Sequence, residues 1–142
     1  DDFKRIKDTF GHILGDETLK AFAVKLTHCI RPYDLIGRFG GDEFIVCLPN
    51  TSAEKASSIA QRLLGCVNDI IVNNSNKRLS ASFGVASFPY SQADDIDALI
   101  TRADNAMYKA KTQKNSIYLI NFVFKSHKLT FCYSQLHYIS SS

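Results

Sequence analysis

Apolar residues recur at helical intervals through the first thirty positions of the chain. The first such stretch stops at Gly11, and a second helix is predicted to begin at Asp16 and to end before Pro32, which cannot continue it. The segment GHILG between the two stretches is expected to form a loop. The chain therefore opens with two consecutive helices.

Two apolar runs follow, LIGRF and EFIVCLP, and the short turn from Gly40 to Asp42 between them predicts a β-hairpin. Helical spacing returns in TSAEKASSIAQRLLGCV, where Thr51 and Glu54 form a capping box. The segment RLSASFGVASF alternates as a strand does, a further helix covers residues 96–110, and SIYLI follows as a short strand.

This order of elements predicts an α+β fold, a two-layer sandwich in which helices flank a mostly antiparallel sheet. The chain already reads as helical at its first residues, so the opening strand of the sheet would precede Asp1 and the chain is expected to be a fragment. Residues 121–142 are rich in aromatic side chains and alternate only weakly. They are expected to form either an added strand pair or an unpacked extension.

Composition narrows the class of protein. The chain has 142 residues, 45% apolar and 22% charged, which is enough for one domain with its own core. The net charge of +3 comes without a clustered basic face, which argues against nucleic-acid binding. Without a signal peptide or an apolar run of roughly 20 residues, we expect a cytoplasmic chain or the cytoplasmic portion of a membrane-anchored sensor.

The four cysteines lie in apolar surroundings, at spacings that match no CxxC metal or redox motif. They are Cys29, Cys47, Cys66 and Cys132. We expect all four to be reduced core residues.

Several candidate functional residues lie together at the predicted hairpin turn, within RFGGDEFIV. Gly40 and Gly41 permit backbone conformations that are closed to other residues and let a ligand approach, while Asp42 and Glu43 offer hard oxygen ligands suited to magnesium. The alternative is an ordinary surface turn with solvated carboxylates, which is the more frequent meaning of such a tip.

Two residues of the opening helices, together with the carboxylates of the hairpin, suggest a triphosphate site. Lys4 lies in the first turn of a helix whose N-terminal amides could hold phosphate, and Asp16 could accept hydrogen bonds from a base edge. Taken singly, Lys4 is more simply a solvated lysine and Asp16 a helix cap.

Three segments together carry a family resemblance. FGHILGDETL, RPYDLIGRFGGDEFIVCLP and ADNAMYKAK, in this order, resemble the GGDEF domain of diguanylate cyclases over residues 1–120, and the extension 121–142 is not covered. The resemblance implies a palm-like (ferredoxin-like) nucleotidyl cyclase fold and an enzyme that condenses two GTP into cyclic di-GMP and pyrophosphate. Because each domain would hold one GTP, it also implies a homodimer.

The resemblance assigns roles to individual residues. Asp42 matches a metal-binding carboxylate, and Glu43 matches an acid that binds metal or deprotonates the attacking hydroxyl, with Mg²⁺ or Mn²⁺ as the cofactor. Asp16 matches the guanine-binding acid. The remaining matches hold or make room for the triphosphate: Phe3, Lys4, Gly40, Gly41 and Lys111.

A second site is implied just ahead of the hairpin. Arg31 and Asp34, within RPYD, match the family's RxxD inhibitory site, which binds the product, and Arg62 matches a secondary product contact. Feedback inhibition is therefore predicted, since an arginine fork suits phosphate and guanine edges. The alternative is an ordinary ion pair after a helix end.

Three departures from the family keep another function open. A further metal-binding aspartate belongs two residues before Asp1, Lys7 stands where the family has a guanine-reading asparagine, and KTQKNS lacks the usual glycine. Lysine donates hydrogen bonds but cannot accept them. The alternative function is a catalytically degenerate domain that binds cyclic di-GMP or GTP as a regulatory module.

Overall fold

The computed structural model of the chain describes residues 2–72, 78–89, 96–113, 117–120 and 128–138. Its elements are α1 (Asp2–Cys29), β1 (Leu35–Arg38), β2 (Glu43–Pro49), α2 (Ala53–Asn68), β3 (Leu79–Pro89), α3 (Ile96–Gln113), β4 (Ile117–Ile120) and β5 (Lys128–Tyr138). The predicted order of helices and strands is confirmed as far as β4, and β5 is added to it. Among the described helices, none is long and apolar enough to cross a membrane.

Helix α1 bends at a single residue. Gly11 has φ 86° and ψ 163°, a conformation that is essentially restricted to glycine, so the predicted stop there is correct. The predicted loop GHILG is wrong, because the residues after Gly11 are already helical. A Cβ atom on Gly15 would lie 2.8 Å from Cγ of Lys7, so the two segments of α1 approach closely where glycine has no side chain.

Five strands form one sheet in the order β1-β2-β5-β3-β4. The pairs β1/β2, β2/β5 and β5/β3 are antiparallel, and β3/β4 is parallel. The register of β5 runs from Gln135 opposite Glu43 to Leu129 opposite Pro49. The stretch 121–142, for which a strand pair or an unpacked extension was expected, therefore supplies the central strand of the sheet.

The direction of β5 explains how it fits. It runs parallel to β1, with β2 between them, because each of the two intervening pairings is antiparallel. Two strands of one sheet that are joined through a helix run parallel to each other. A strand preceding α1 would therefore run parallel to β1, and β5 occupies the place of such a strand. The described sheet consequently has no gap at the place of the expected opening strand.

Helices cover both faces of the sheet. Helices α1 and α2 share a core with alternate residues of β2 and β3. Ala81, Phe83 and Val85 belong to this core, whereas Ala86 packs with Ala103 on the other face, which confirms the predicted alternation of β3. On the other face, a Cβ atom on Gly84 would collide with the carbonyl oxygen of Ala103, so α3 packs directly on β3 there. The α+β class and antiparallel sheet are confirmed, but α3 adds a third layer to the two that were expected.

The start of α2 also differs from the prediction. Ser52 is the N-cap, and its hydroxyl accepts a hydrogen bond from the backbone amide of Lys55. Thr51, the predicted cap, is fully buried and uses its hydroxyl elsewhere.

Two of the cysteines are joined. Cys29, the last residue of α1, forms a disulfide with Cys66 of α2, so the prediction of four reduced cysteines is wrong for this pair. The two residues are 37 positions apart, and only the packing of α1 against α2 brings them together. Cys47 is free and half-buried, and the side chain of Cys132 lies outside the described residues.

Candidate nucleotide site at the β1-β2 hairpin

The hairpin turn joins the adjacent strands β1 and β2. Arg38 pairs with Phe44 at its base, and the carbonyl of Glu43 accepts hydrogen bonds from the amides of Phe39, at 2.9 Å, and Gly40, at 3.3 Å. The predicted hairpin is therefore confirmed. The segment 39–43, hereafter the apex, presents two glycines, then Asp42, and then Glu43 as the first residue of β2.

Arg38 holds the apex through its guanidinium group. Nε donates to the carbonyl oxygen of Gly40 at 3.1 Å, and Nη2 donates to that of Gly41 at 2.7 Å. A planar fork with fixed donors suits two neighbouring acceptors better than an ammonium group would. Sequence reasoning did not single out this residue, although an arginine directly ahead of a glycine-rich turn is a usable signal for such an anchor.

The two glycines serve different purposes. Neither has a positive φ, so the expectation that both supply an unusual backbone conformation is wrong. A Cβ atom on Gly40 would lie 2.5 Å from Oε2 of Glu43, whereas one on Gly41 would have no described heavy atom beyond its chain neighbours within 4 Å. Gly40 thus makes room for the Glu43 carboxylate, and Gly41 leaves open space at the tip.

Asp42 and Glu43 are the carboxylates of the apex. Asp42 is buried, with 7% of its surface exposed, and Glu43 is half-buried. Among the described residues, no group of three or more His, Cys, Asp or Glu side chains could hold a metal ion. Two carboxylates nevertheless fit Mg²⁺, which commonly binds one or two protein carboxylates and completes its shell with substrate phosphates and water.

A cavity of about 380 Å³ lies between α1 and the hairpin. Its charged lining consists of Asp16 and Lys20, one helical turn apart on α1, and Arg38 from the hairpin. The rest of the lining is mainly apolar and comprises Leu19, Ala23, Ile36, Gly37 and Phe44. An apolar cleft with a few polar groups is typical of a small-molecule site. The cavity connects Asp16, a predicted base contact, with the arginine that holds the apex.

The predicted phosphate contacts are less defined. Phe3 and Lys4 lie in the first turns of α1, but their side chains are outside the described residues. Lys111 lies half-buried in the last turn of α3 and is not among the residues that line the cavity. The contacts of these three residues with a triphosphate remain predictions.

The RPYD loop between α1 and β1 is closed by its own ion pair. The guanidinium of Arg31 donates from Nη2 to Asp34 at 2.7 Å and from Nε at 3.0 and 3.1 Å, and the Arg31 amide donates to the same carboxylate. The Asp34 side chain is fully buried, while 31% of the Arg31 side chain is exposed. The hydrogen bonds that Arg31 donates to Asp34 raise the pKa of Arg31 above its usual value, and the ring of Tyr33 packs beneath the guanidinium.

Two neighbours complete this loop. The hydroxyl of Thr51 accepts a hydrogen bond from Nη2 of Arg31 at 2.7 Å and donates to the carbonyl of Pro49. Nη2 of Arg62 on α2 donates to the carbonyl of Cys29 at 2.8 Å. Cys29 lies two positions before Arg31 in the chain, so this hydrogen bond brings Arg62 close to the RPYD loop.

Known proteins are similar to this chain in sequence. The family model for "Diguanylate cyclase, GGDEF domain" matches residues 1–116. The chain is 41% identical over 113 residues to diguanylate cyclase DgcP of Pseudomonas aeruginosa and 39% identical over 114 residues to the response regulator PleD of Caulobacter vibrioides, covering 78% of this chain in each case. It spans only 16% and 25%, respectively, of the length of these relatives.

Solved structures extend the likeness to three dimensions. The active GGEEF domain of a diguanylate cyclase from Vibrio cholerae is similar with a TM-score of 0.76 and 32% identity, over 87% of this chain and 79% of that one. The GGDEF domain of PA1120 from Pseudomonas aeruginosa gives a TM-score of 0.73 and 37% identity, over 87% and 78%.

Proposed function

Since the chain belongs to the GGDEF domain family, we propose that it condenses two molecules of GTP into cyclic di-GMP and releases pyrophosphate. The observation that carries the proposal is the cavity that links Asp16 with Arg38, because Arg38 holds the glycine carbonyls of the apex, which carries Asp42 and Glu43. Residues 1–120 would form the GGDEF unit, and residues 121–142 an extension that contributes β5.

The carboxylates of the apex supply the reaction chemistry. Asp42 and Glu43 would hold Mg²⁺ or Mn²⁺, and a bound divalent ion offsets the charge that develops on the phosphates. Glu43 is also the proposed acceptor of the proton from the attacking 3′-hydroxyl. That oxygen bonds to the α-phosphorus, the bond from this phosphorus to the bridging oxygen breaks, and pyrophosphate leaves.

The remaining residues position the substrate. The Asp16 carboxylate would accept hydrogen bonds from N1 and N2 of guanine, and the open space at Gly41 would admit the phosphates. Phe3, Lys4 and Lys111 are proposed to hold the triphosphate. Each of the two 3′-hydroxyls must reach the other nucleotide, so the active form is proposed to be a homodimer with one GTP in each chain.

Product inhibition is proposed at the RPYD loop. Arg31 pairs with Asp34, and Arg62 binds the carbonyl of Cys29, which lies two positions before Arg31 in the chain. The partly exposed guanidinium of Arg31 could reach a phosphate or a guanine edge. The internal pair with Asp34 orients that guanidinium before the product arrives.

Turnover tests the principal proposal. With GTP and Mg²⁺ at concentrations that give dimers, the full protein is expected to form cyclic di-GMP, measured by chromatography together with released pyrophosphate. Asp42→Ala should lower the rate by at least about 100-fold, while Asp104→Ala, at an exposed site on α3, should not. The proposal fails if the wild-type dimer forms no cyclic di-GMP or if Asp42→Ala retains the wild-type rate.

A second function, a binding module without turnover, is favoured by the central strand. Gln135 lies opposite Glu43 in the register, and the strand sequence KLTFCYSQLHY contains no aspartate or glutamate. The third metal-binding carboxylate expected from the family's opening strand is therefore not supplied by β5. Calorimetry distinguishes this function: cyclic di-GMP binding that Arg31→Ala abolishes, in a dimer that forms no product, would support it.

A further inference from the structure

We propose that Lys20 reads the oxygen at position 6 of the purine, so that it sets the preference for guanine over adenine. The inference rests on the proposed function and adds a specificity residue to it. Lys20 lies four residues after Asp16 on α1, and both line the cavity between α1 and the hairpin. One side chain offers hydrogen-bond acceptors and the other offers donors.

Two other basic residues of the described chain, Lys7 and Arg38, are not placed for the task. The aliphatic part of Lys7 packs over Gly15, with Cγ 2.8 Å and Cε 3.2 Å from where a Cβ atom would be, and Lys7 does not line the cavity. Arg38 already donates from Nε and Nη2 to the carbonyls of Gly40 and Gly41. Lys20, in contrast, makes no hydrogen bond or ion pair with the described part of the chain.

Base chemistry favours a donor at this position. Guanine has an acceptor oxygen at position 6 and donors at N1 and N2, whereas adenine has a donor amino group at position 6. The ammonium of Lys20 matches the guanine oxygen and opposes the adenine amino group. The carboxylate of Asp16, one helical turn away, matches the donors on the neighbouring edge. The apolar lining, including Leu19 and Phe44, would hold the ring between the two groups.

The test compares inosine and adenosine triphosphates, which differ at positions 6 and 1 but both lack the 2-amino group. Their dissociation constants are measured by calorimetry with Mg²⁺ on the full chain, together with that of GTP. Asp16 stays in place in every variant, so changes in the preference for inosine triphosphate report on the lysine. Lys20→Met is expected to lower this preference on the order of tenfold, and Lys20→Arg, which like lysine only donates hydrogen bonds, should restore part of it.

Lys7→Met is the matched control, since it removes an ammonium group from the same helix outside the cavity lining, and its preference should equal that of the wild type. If Lys20→Met retains the wild-type preference while GTP still binds, the inference is overturned and the proposed function stands. The inference is likewise overturned if Lys7→Met loses the preference and Lys20→Met keeps it. A wild-type chain that binds no purine triphosphate overturns the proposed function and this inference together.

Discussion

Arg31 pairs with a carboxylate ahead of β1, whereas Arg38, at the end of the same strand, binds two backbone carbonyls. In the first case the positive charge of the guanidinium is matched by the buried carboxylate of Asp34. In the second case the hydrogen bonds shape the apex without using a carboxylate for the purpose. An arginine can therefore either neutralise an acidic group or orient a loop, and only the second arrangement suits a turn whose acids are proposed to bind a cation.

The loops at the two ends of β1 also differ in the interactions that hold them in place. The Cys29–Cys66 disulfide connects α1 to α2 immediately ahead of the RPYD loop, and Arg62 binds the carbonyl of Cys29 beside it. The apex is held by hydrogen bonds from Arg38 and from backbone amides. We expect changes at the first end to appear mainly in stability and changes at the second mainly in catalysis.

The largest effect is expected from reduction of the disulfide. A cross-link that closes a loop of 37 residues restricts the unfolded chain and should stabilise the fold by about 4 kcal/mol. Urea unfolding with and without dithiothreitol measures this difference. The Cys29→Ser, Cys66→Ser double variant should not respond to the reductant. Identical unfolding midpoints for the oxidised and reduced wild type would contradict the expectation.

Removing the anchor of the apex should have the next largest effect. Arg38→Met deletes both side-chain hydrogen bonds to the glycine carbonyls, and the misplaced carboxylates should lower kcat by about 100-fold. KM for GTP should change much less, which separates positioning from substrate binding. Lys55→Met removes an exposed cation from α2 as a control. Equal kcat values for the two variants would show that the anchor has no catalytic role.

At the other end of β1, Arg31→Met leaves the buried Asp34 carboxylate without its side-chain partner. The free energy of unfolding should fall by about 2 kcal/mol, because an unpaired buried acid is costly. The double variant that adds Asp34→Asn removes this charge and should lose less, as measured by urea unfolding. If the double variant is as unstable as the single one, the buried charge is not the cause.

The two apex glycines allow a finer comparison. Gly40→Ala places a methyl group 2.5 Å from Oε2 of Glu43 and should displace that carboxylate, lowering kcat by about tenfold. Gly41→Ala introduces the same group into open space and serves as the matched substitution. Steady-state turnover of both variants measures the difference. A rate for Gly40→Ala that matches Gly41→Ala would rule out the crowding of Glu43.

The smallest effect concerns Cys47 in β2. Burial, and to a lesser degree the negative charge of Asp34, raises the pKa of this thiol. A raised pKa in the folded state stabilises the fold below the unfolded thiol pKa of about 8.5, and this contribution is lost as the pH rises through the folded value. Stability should therefore decline slightly less at alkaline pH in Cys47→Ala than in the wild type. Parallel stability curves from pH 8 upward would contradict the assignment.

Much of the fold could be predicted from local periodicity. The hairpin, the alternation of Phe83 and Val85 in β3, and the break at Gly11 are all confirmed, since each depends on neighbouring residues. The central strand could not be predicted in the same way. Its partners in β2 and β3 lie many positions earlier in the chain, and weak alternation in residues 121–142 does not specify which sheet edge they join.

The candidate site likewise contains residues that could be predicted from a motif and residues that only the structure revealed. Its acids, Asp42 and Glu43, are recognisable from the order of residues in RFGGDEFIV, and so is the RPYD loop. The anchoring role of Arg38 and the place of Lys20 beside Asp16 in one cavity could not be read from any motif. Both depend on how α1 packs against the hairpin, which periodicity does not encode.

Local sequence settled which segments became helices and strands and which turn carries the acids, because backbone preference and side-chain period act over a few residues. Tertiary packing alone decided that β5 occupies the centre of the sheet and that Cys29 meets Cys66. These contacts join segments that are far apart in the sequence, and the local pattern of either segment does not specify which distant segment it packs against.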